Sequence, residues 1–156
     1  MSDGLSYLGS FIRRYQDMEH FWTEPFAAFS GDCPVYRTYK SKDGKWMAVG
    51  ALEPKFSISL FRILGMDKTE ADIFTDPEGL SAEMEKIFET KTQAEWVECF
   101  DGQNACVTPV LELDEAVRFK HNVERNSFTK EGDQYFPEPA PRMYSVEEYE
   151  ELKSSL

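Results

Sequence analysis

The residue with the clearest chemical potential is Glu53, which stands where an extended segment is predicted to become a helix. Two β-rich runs flank Asp43-Gly44, a pair that suits the tight turn of a β-hairpin. The second run, 46–52, leads into Glu53 and Pro54, and proline favours a first helical turn because its missing N–H costs nothing there. We therefore expect the Glu53 carboxylate near unpaired backbone N–H groups, at the positive end of a helix dipole. It either stabilises this helix start or serves as a site residue.

The other side chains suited to catalysis lack the neighbours that such chemistry needs. His20 and His121 have neither metal-ligand spacing nor a nearby Ser or Cys nucleophile, so each is predicted to be a packed or surface histidine. The three cysteines, Cys33, Cys99 and Cys106, include no Cys-x-x-Cys pair, which disfavours a zinc site and a disulfide framework. Cys106 lies in an apolar run and is predicted to be a small buried residue.

Composition narrows the possible partners. The chain has 156 residues, 41% of them hydrophobic and 14% aromatic, which suits one domain with a substantial core. Its formal net charge of -12 disfavours nucleic acid as a partner. A phosphate-bearing ligand would need a local basic patch, and Lys40, Lys42 and Lys45 around the hairpin turn are one candidate; alternatively, they protect an exposed sheet edge. The sequence contains no run of about 18 apolar residues, so it predicts no membrane span.

Apolar spacing and capping signals predict several helices around the hairpin. They lie at 4–18, near 56–64 with Gly65 as a stop, from Pro77 through Phe88, between Thr92 and Gly102, at 114–119 and from Ser145 to 156. The first carries an apolar stripe, Leu5, Leu8, Phe11, Ile12 and Tyr15. This stripe and the aromatic residues of 21–29 pack either on a partner or on the chain's own core.

The predicted fold class is α+β, with a β-hairpin or short sheet flanked by helices. Residues 105–111 are predicted to be a short strand or extended segment, which Pro109 places at an edge or a bend. We divide the chain into a connecting helix and aromatic linker (1–30), a small α+β domain (31–125), and an extended return segment with a C-terminal helix (126–156).

Several separated motifs resemble a known family, in that family's order. They are 36–56, Lys91-Thr-Gln-Ala-Glu-Trp96, Phe100-Asp-Gly-Gln-Asn-Ala-Cys-Val-Thr-Pro-Val-Leu111, His121-Asn122 and 137–141, with a weaker match at 3–8. Together they resemble the C-terminal half of the α-methylacyl-CoA racemases, which belong to the family III CoA-transferase superfamily. The expected fold is therefore the small domain of that family's fold plus an N-terminal connecting helix.

The resemblance implies an enzyme that interconverts the R and S forms of 2-methyl-branched acyl-CoA thioesters. The proton beside the thioester carbonyl is removed and returned, which requires a base, an acid and stabilisation of an enolate-like intermediate. The resemblance implies no metal or redox cofactor; the coenzyme A thioester is the substrate. It also implies a role in branched-chain fatty acid and bile acid metabolism.

The resemblance also assigns a role to Glu53. The family's principal acid/base pair, a histidine and an aspartate, lies on a large N-terminal domain that we do not find in this chain. A further active-site glutamate lies in a Gly-Ala-x-Glu-Pro motif, which here is Gly50-Ala51-Leu52-Glu53-Pro54. Family members form interlocked dimers in which the small domain of one subunit faces the large domain of the other. Glu53 would then be an auxiliary catalytic residue acting in trans.

We therefore expect a partial racemase that is inactive alone and forms a homodimer or pairs with a large racemase domain. A gene-model fragment, a split subunit and a splice product fit this expectation equally. Asn104 replaces an aspartate that is frequent in the family. One alternative is a CoA-transferase with an aspartate nucleophile, although transferases usually carry Asn-Asp where this chain has Leu52-Glu53. The other is a non-catalytic fragment that pairs with full-length subunits.

The C-terminal residues Lys153-Ser154-Ser155-Leu156 weakly resemble a peroxisomal address of the Ser-Lys-Leu type, with Ser155 in place of the basic residue. The expected location is the peroxisome, the mitochondrion or both, and otherwise the cytoplasm. The cysteine usage is typical of a reducing compartment.

Overall fold

The computed structural model describes residues 2–16, 18–139, 141 and 143–154, and its first unit, up to Val110, is built on the predicted hairpin. The strands β1 (Thr38–Lys40), β2 (Trp46–Val49) and β3 (Val107–Val110) form an antiparallel sheet in the order β1-β2-β3. Tyr39 pairs with Met47, which pairs with Pro109. The predicted edge position of Pro109 is confirmed, because among the described residues β3 pairs with β2 alone.

The hairpin turn uses its two central residues differently. Gly44 has a φ of 80°, which glycine adopts without strain. Asp43 does not take a positive φ; its Oδ1 accepts hydrogen bonds from Ser41 Oγ at 2.6 Å and from the Gln93 backbone N–H at 3.1 Å. The Ser41 hydrogen bond, the larger cause, and the Gln93 N–H lower the pKa of this carboxyl. Asp43 therefore connects the turn to the start of a later helix.

The longer helices of the first unit follow the predicted signals, and two short ones join them. The helices are α1 (Ser2–Gln16), α2 (Glu19–Trp22), α3 (Pro54–Leu64), α4 (Glu70–Thr75), α5 (Pro77–Phe88) and α6 (Gln93–Phe100). α3 ends at Gly65, which has a φ of 73°, while the Met66 N–H bonds the Phe61 carbonyl at 2.9 Å. The predicted Thr92–Glu95 capping box of α6 is confirmed. The short helices α2 and α4 were not predicted.

The core of the first unit is centred on aromatic side chains from the sheet, α5 and α6. Tyr39 stacks on Phe88 at 4.9 Å between ring centroids, and Phe88 contacts Trp96 at 5.1 Å. Trp96 Nε1 donates to the Phe88 carbonyl at 2.8 Å, so the buried indole N–H is satisfied. Burial raises the pKa of Tyr39, whose hydroxyl donates to the Pro34 carbonyl at 2.6 Å.

Within the first unit, the N-terminal aromatic segment packs through Phe29. Its ring lies 5.1 Å from that of Trp22 and 5.6 Å from that of Tyr36, in an edge-on arrangement with the latter. The aromatic segment thus packs partly on its own chain. By contrast, Leu5 and Leu8 on α1 are 66% and 64% exposed. The other stripe side chains, Phe11, Ile12 and Tyr15, lie outside the described residues.

The second unit begins at Leu111 and contains a hairpin that was not predicted. Its elements are α7 (Leu113–Ala116), α8 (Lys120–Glu124), β4 (Phe128–Glu131), β5 (Gln134–Pro137) and α9 (Val146–Ser154). β4 and β5 are antiparallel, and Gly132 at the turn has a φ of 60°. The predicted cap of α9 is confirmed, since the Ser145 N–H donates to Glu148 Oε2 at 2.7 Å. The division at residues 30 and 125 stays a prediction.

The described helices include none that is both long enough and apolar enough to cross a membrane.

Candidate functional site

The segment between β2 and α3 is fixed from both sides. The Gly50 N–H donates to the Cys106 carbonyl at 2.9 Å, and the Ala51 N–H donates to the Val35 carbonyl at 2.8 Å. The Ala51 side chain is completely buried. Because the backbone bonds to a neighbour on each side immediately before Glu53, the sequence Gly50-Ala51 sets the position from which Glu53 extends.

Glu53 occupies the predicted place at the start of α3. Its extended backbone, with φ -82° and ψ 140°, is typical of a residue just before a helix. Its carbonyl accepts the N–H groups of Phe56 at 2.8 Å and Ser57 at 3.1 Å. However, its carboxylate makes no capping hydrogen bond and is 63% exposed. The helix start thus depends on the backbone of Glu53 and on Pro54, and leaves the carboxylate open to an incoming group.

The partner of this carboxylate is Lys55. Lys55 Nζ lies 3.2 Å from Glu53 Oε2 and 4.5 Å from the centre of the Phe56 ring. The Lys55 side chain is 62% exposed. The site therefore presents a carboxylate and an ammonium group side by side, both largely exposed, at the start of a helix. Such a pair can orient a charged group or balance the charge that develops during a reaction.

An apolar cleft is lined in part by Leu52, the residue that precedes Glu53. Its volume is about 640 Å³, and Leu52 lines it together with Phe29, Ile73 and Phe74. Two carboxylates, Glu24 and Glu70, also line it. The cleft provides space for an apolar group next to the segment that carries Glu53.

The cysteines correct one prediction. Cys106 is exposed, not buried, and has a φ of 50°. The apolar run suggested that Cys106 belongs to a buried strand, but β3 begins at Val107, and the Cys106 carbonyl turns to bond Gly50. Cys33 is buried, and desolvation raises the pKa of its thiol.

Among the described residues, the remaining candidates form no recognisable catalytic arrangement. His121 is exposed on α8, while the His20 side chain is outside the described residues. Lys40, Lys42 and Lys45 are exposed around the hairpin turn, and both of their interpretations stay predictions. Within 2–16, 18–139, 141 and 143–154, no group of three or more His, Cys, Asp or Glu side chains could hold a metal ion.

Fold and site together define an α+β module that displays one charged pair on a fixed strand-to-helix segment. A family model described as CoA-transferase family III matches residues 11–150. The chain belongs to this family.

Curated relatives carry two kinds of name. The chain is 43% identical over 154 residues to the CaiB/baiF CoA-transferase family protein ZK892.4 of Caenorhabditis elegans, covering 99% of this chain and 45% of that protein. It is 43% identical to the alpha-methylacyl-CoA racemase of Mus musculus, covering 90% of this chain and 38% of that protein. It is 39% identical to the alpha-methylacyl-CoA racemase of Homo sapiens, covering 94% of this chain and 40% of that protein. The chain thus spans less than half the length of these relatives.

A solved structure shares the fold. It is described as a hypothetical protein (Rv3272) from Mycobacterium tuberculosis and matches with a TM-score of 0.54 at 19% identity. The match covers 69% of this chain and 32% of that one.

Proposed function

We propose that this chain contributes the auxiliary glutamate, Glu53, to an α-methylacyl-CoA racemase. The enzyme would interconvert R and S 2-methyl-branched acyl-CoA thioesters by removing and returning the α-proton. The observation that carries the proposal is the exposed Glu53 carboxylate, which is held on a fixed segment but makes no capping hydrogen bond. The carboxylate is therefore accessible to groups outside this chain.

The proposed chemistry divides the work between Glu53 and groups supplied by a large racemase domain. That domain would provide the base and the acid on opposite faces of the α-carbon. Glu53 would orient or tune this pair from the other side of the interface, in trans. Its exposure fits such a role, because a carboxylate buried within its own unit could not reach a second surface. The proposed assembly is a homodimer, or this chain paired with a large domain.

The relatives support a racemase without selecting it over a transferase. Two of them are named alpha-methylacyl-CoA racemase, in mouse and human. The worm relative is named a CoA-transferase family protein, and it favours the alternative, transfer of coenzyme A between two acids. The resemblance places an aspartate nucleophile in transferases, whereas this chain has Glu53 after Leu52. Racemisation therefore suits the residue better.

Two further parts of the proposal follow from the resemblance. The substrate's coenzyme A moiety would be bound mainly by the large domain, and no metal or redox cofactor would take part. The proposed location is the peroxisome, the mitochondrion or both, and otherwise the cytoplasm. The peroxisome is suggested by the segment 153–156, whose last two residues lie outside the described residues.

The test is complementation. This chain is fused to the portion of mouse alpha-methylacyl-CoA racemase to which it has no match. The fusion protein is then incubated with a 2-methylacyl-CoA in D₂O. We expect mass spectrometry to show deuterium entering the α-position with the fusion, and none with this chain alone. Transfer of coenzyme A to a free acid without deuterium entry would select the transferase. No reaction of either kind would contradict the proposed function.

A further inference from the structure

Lys55 is held at the start of α3 by two contacts of a single ammonium group. Nζ lies 3.2 Å from Glu53 Oε2 and 4.5 Å above the centre of the Phe56 ring. A cation over an aromatic face gains attraction from the ring in addition to the ion pair. Across the described part of the chain, Lys55 is the cation paired with Glu53. These contacts direct the lysine toward the carboxylate, although both side chains remain exposed to solvent.

We propose that Lys55 is a positioning residue for proton transfer, acting through Glu53; this rests on the proposed function. When the α-proton leaves to a base, the C–H electron pair forms the C=C bond of an enolate and the carbonyl π pair moves onto the thioester oxygen; the acid then returns a proton to the α-carbon on the opposite face, and the carbonyl re-forms. Negative charge therefore develops close to the proposed location of Glu53. Lys55 would hold the Glu53 carboxylate in place and offset its negative charge, so that Glu53 can orient the acid/base pair without repelling the enolate.

Assembly determines when this effect matters. In the chain by itself both side chains are about two-thirds exposed, and water screens such a pair so well that it adds little to folding stability. When a second surface covers the pair, the screening falls and the interaction strengthens. Lys55 should therefore affect the rate of the assembled enzyme and leave the unfolding of this chain almost unchanged.

The test uses three single variants in the fusion with the unmatched portion of mouse racemase. Lys55→Gln removes the charge, Lys55→Arg keeps it, and Lys86→Gln makes the same charge change on an exposed part of α5. We expect Lys55→Gln to lower kcat for α-deuterium entry about 10-fold, with KM changed less than about twofold, because the lost interaction acts mainly in the transition state. Lys55→Arg should recover most of the rate, and Lys86→Gln should match the wild type.

A double variant distinguishes a role through Glu53 from an independent one. If Lys55 acts through Glu53, the Glu53→Gln/Lys55→Gln fusion should be no slower than Glu53→Gln alone. Multiplied losses would overturn the proposal, as would a Lys55→Gln fusion with the wild-type rate. An inactive wild-type fusion would overturn the proposed function and the role of Lys55 with it. In contrast, an active wild type with an unaffected Lys55→Gln variant would remove the role of Lys55 alone.

Discussion

The unit that ends at Val110 and the unit that begins at Leu111 differ in what holds their elements in place. In the described residues, Val117 is the only buried apolar side chain of the second unit, whereas the first unit contains all the others. The first unit has a stacked aromatic centre at Tyr39, Phe88 and Trp96. The second depends on hydrogen-bonded caps and the β4–β5 hairpin.

This difference bears on function because Glu53 lies on the well-packed unit. A site residue works best when the residues beneath it are rigid. Ala51 is buried and bonded to Val35, so the segment that carries Glu53 inherits the rigidity of the sheet. The exposure of Glu53 therefore reflects the direction of its side chain and not a loosely held backbone.

The largest expected contrast comes from the same substitution in each unit. Phe88 is 0% exposed in the first unit, and Phe136 is 44% exposed in the second. We expect Phe88→Ala to lower the free energy of unfolding by about 3–5 kcal/mol, because a cavity replaces a stacked ring. Phe136→Ala should cost less than about 1 kcal/mol. Urea unfolding followed by far-UV circular dichroism measures both, because the tryptophans lie only in the first unit. Equal losses would contradict the contrast between the units.

A smaller effect is expected at Gln93, a buried polar residue of the first unit. Its Nε2 donates to the Trp46 carbonyl at 2.8 Å and to the Val110 carbonyl at 3.0 Å, which joins the ends of β2 and β3. Gln93→Ala should cost about 1–3 kcal/mol, since two carbonyl groups lose their donor. The matched control is exposed Gln103, where the change to Ala should stay within about 0.5 kcal/mol. Equal values in urea unfolding would mean that Gln93 does not hold the strands together.

The smallest expected effect concerns acid sensitivity. Hydrogen bonds from Thr92 lower the pKa of Glu95 on α6, and hydrogen bonds from Ser145 do the same for Glu148 on α9. A carboxyl whose pKa is lowered in the folded state stabilises the fold at pH values above its ordinary pKa of 4.5. This stabilisation is lost as the pH falls through the lowered pKa.

We therefore expect Glu95→Gln to reduce the loss of unfolding free energy as pH falls below 4.5. Glu148→Gln should leave the unfolding of the first unit unchanged, because α9 has no buried residue, whereas α6 carries buried Trp96 and Phe100. The measurement is a series of urea titrations at successive pH values. Identical pH profiles for wild type and Glu95→Gln would contradict this expectation.

The sequence predicted those features that depend on local chemistry. Asp43-Gly44, Gly65 and the Thr92–Glu95 pair each specify a turn, a helix end or a helix start through their own backbone preferences. The position of Glu53 was predictable for the same reason, because Pro54 favours the first turn of a helix.

Features that depend on distant partners were not predictable. Gln93 looks like an ordinary helix-start residue, and its contacts with Trp46 and Val110 arise from strands 47 and 17 positions away. Likewise, the prediction that Cys106 is buried was wrong. Its backbone carbonyl turns to accept a hydrogen bond from the Gly50 N–H, a contact with a distant segment that the local sequence does not reveal. Lys55 had a local signal, a cation two positions after Glu53 across a helix start, but the ion pair required the side-chain geometry.

The most direct test of the central claim is the substitution Glu53→Gln in the chain fused to the unmatched portion of mouse alpha-methylacyl-CoA racemase. The carboxylate is exposed and makes no capping hydrogen bond, so unfolding free energy should change by less than about 0.5 kcal/mol. The rate of deuterium entry at the α-carbon should fall at least about 10-fold. An unchanged exchange rate would contradict the account and leave Glu53 as an ordinary helix-start residue.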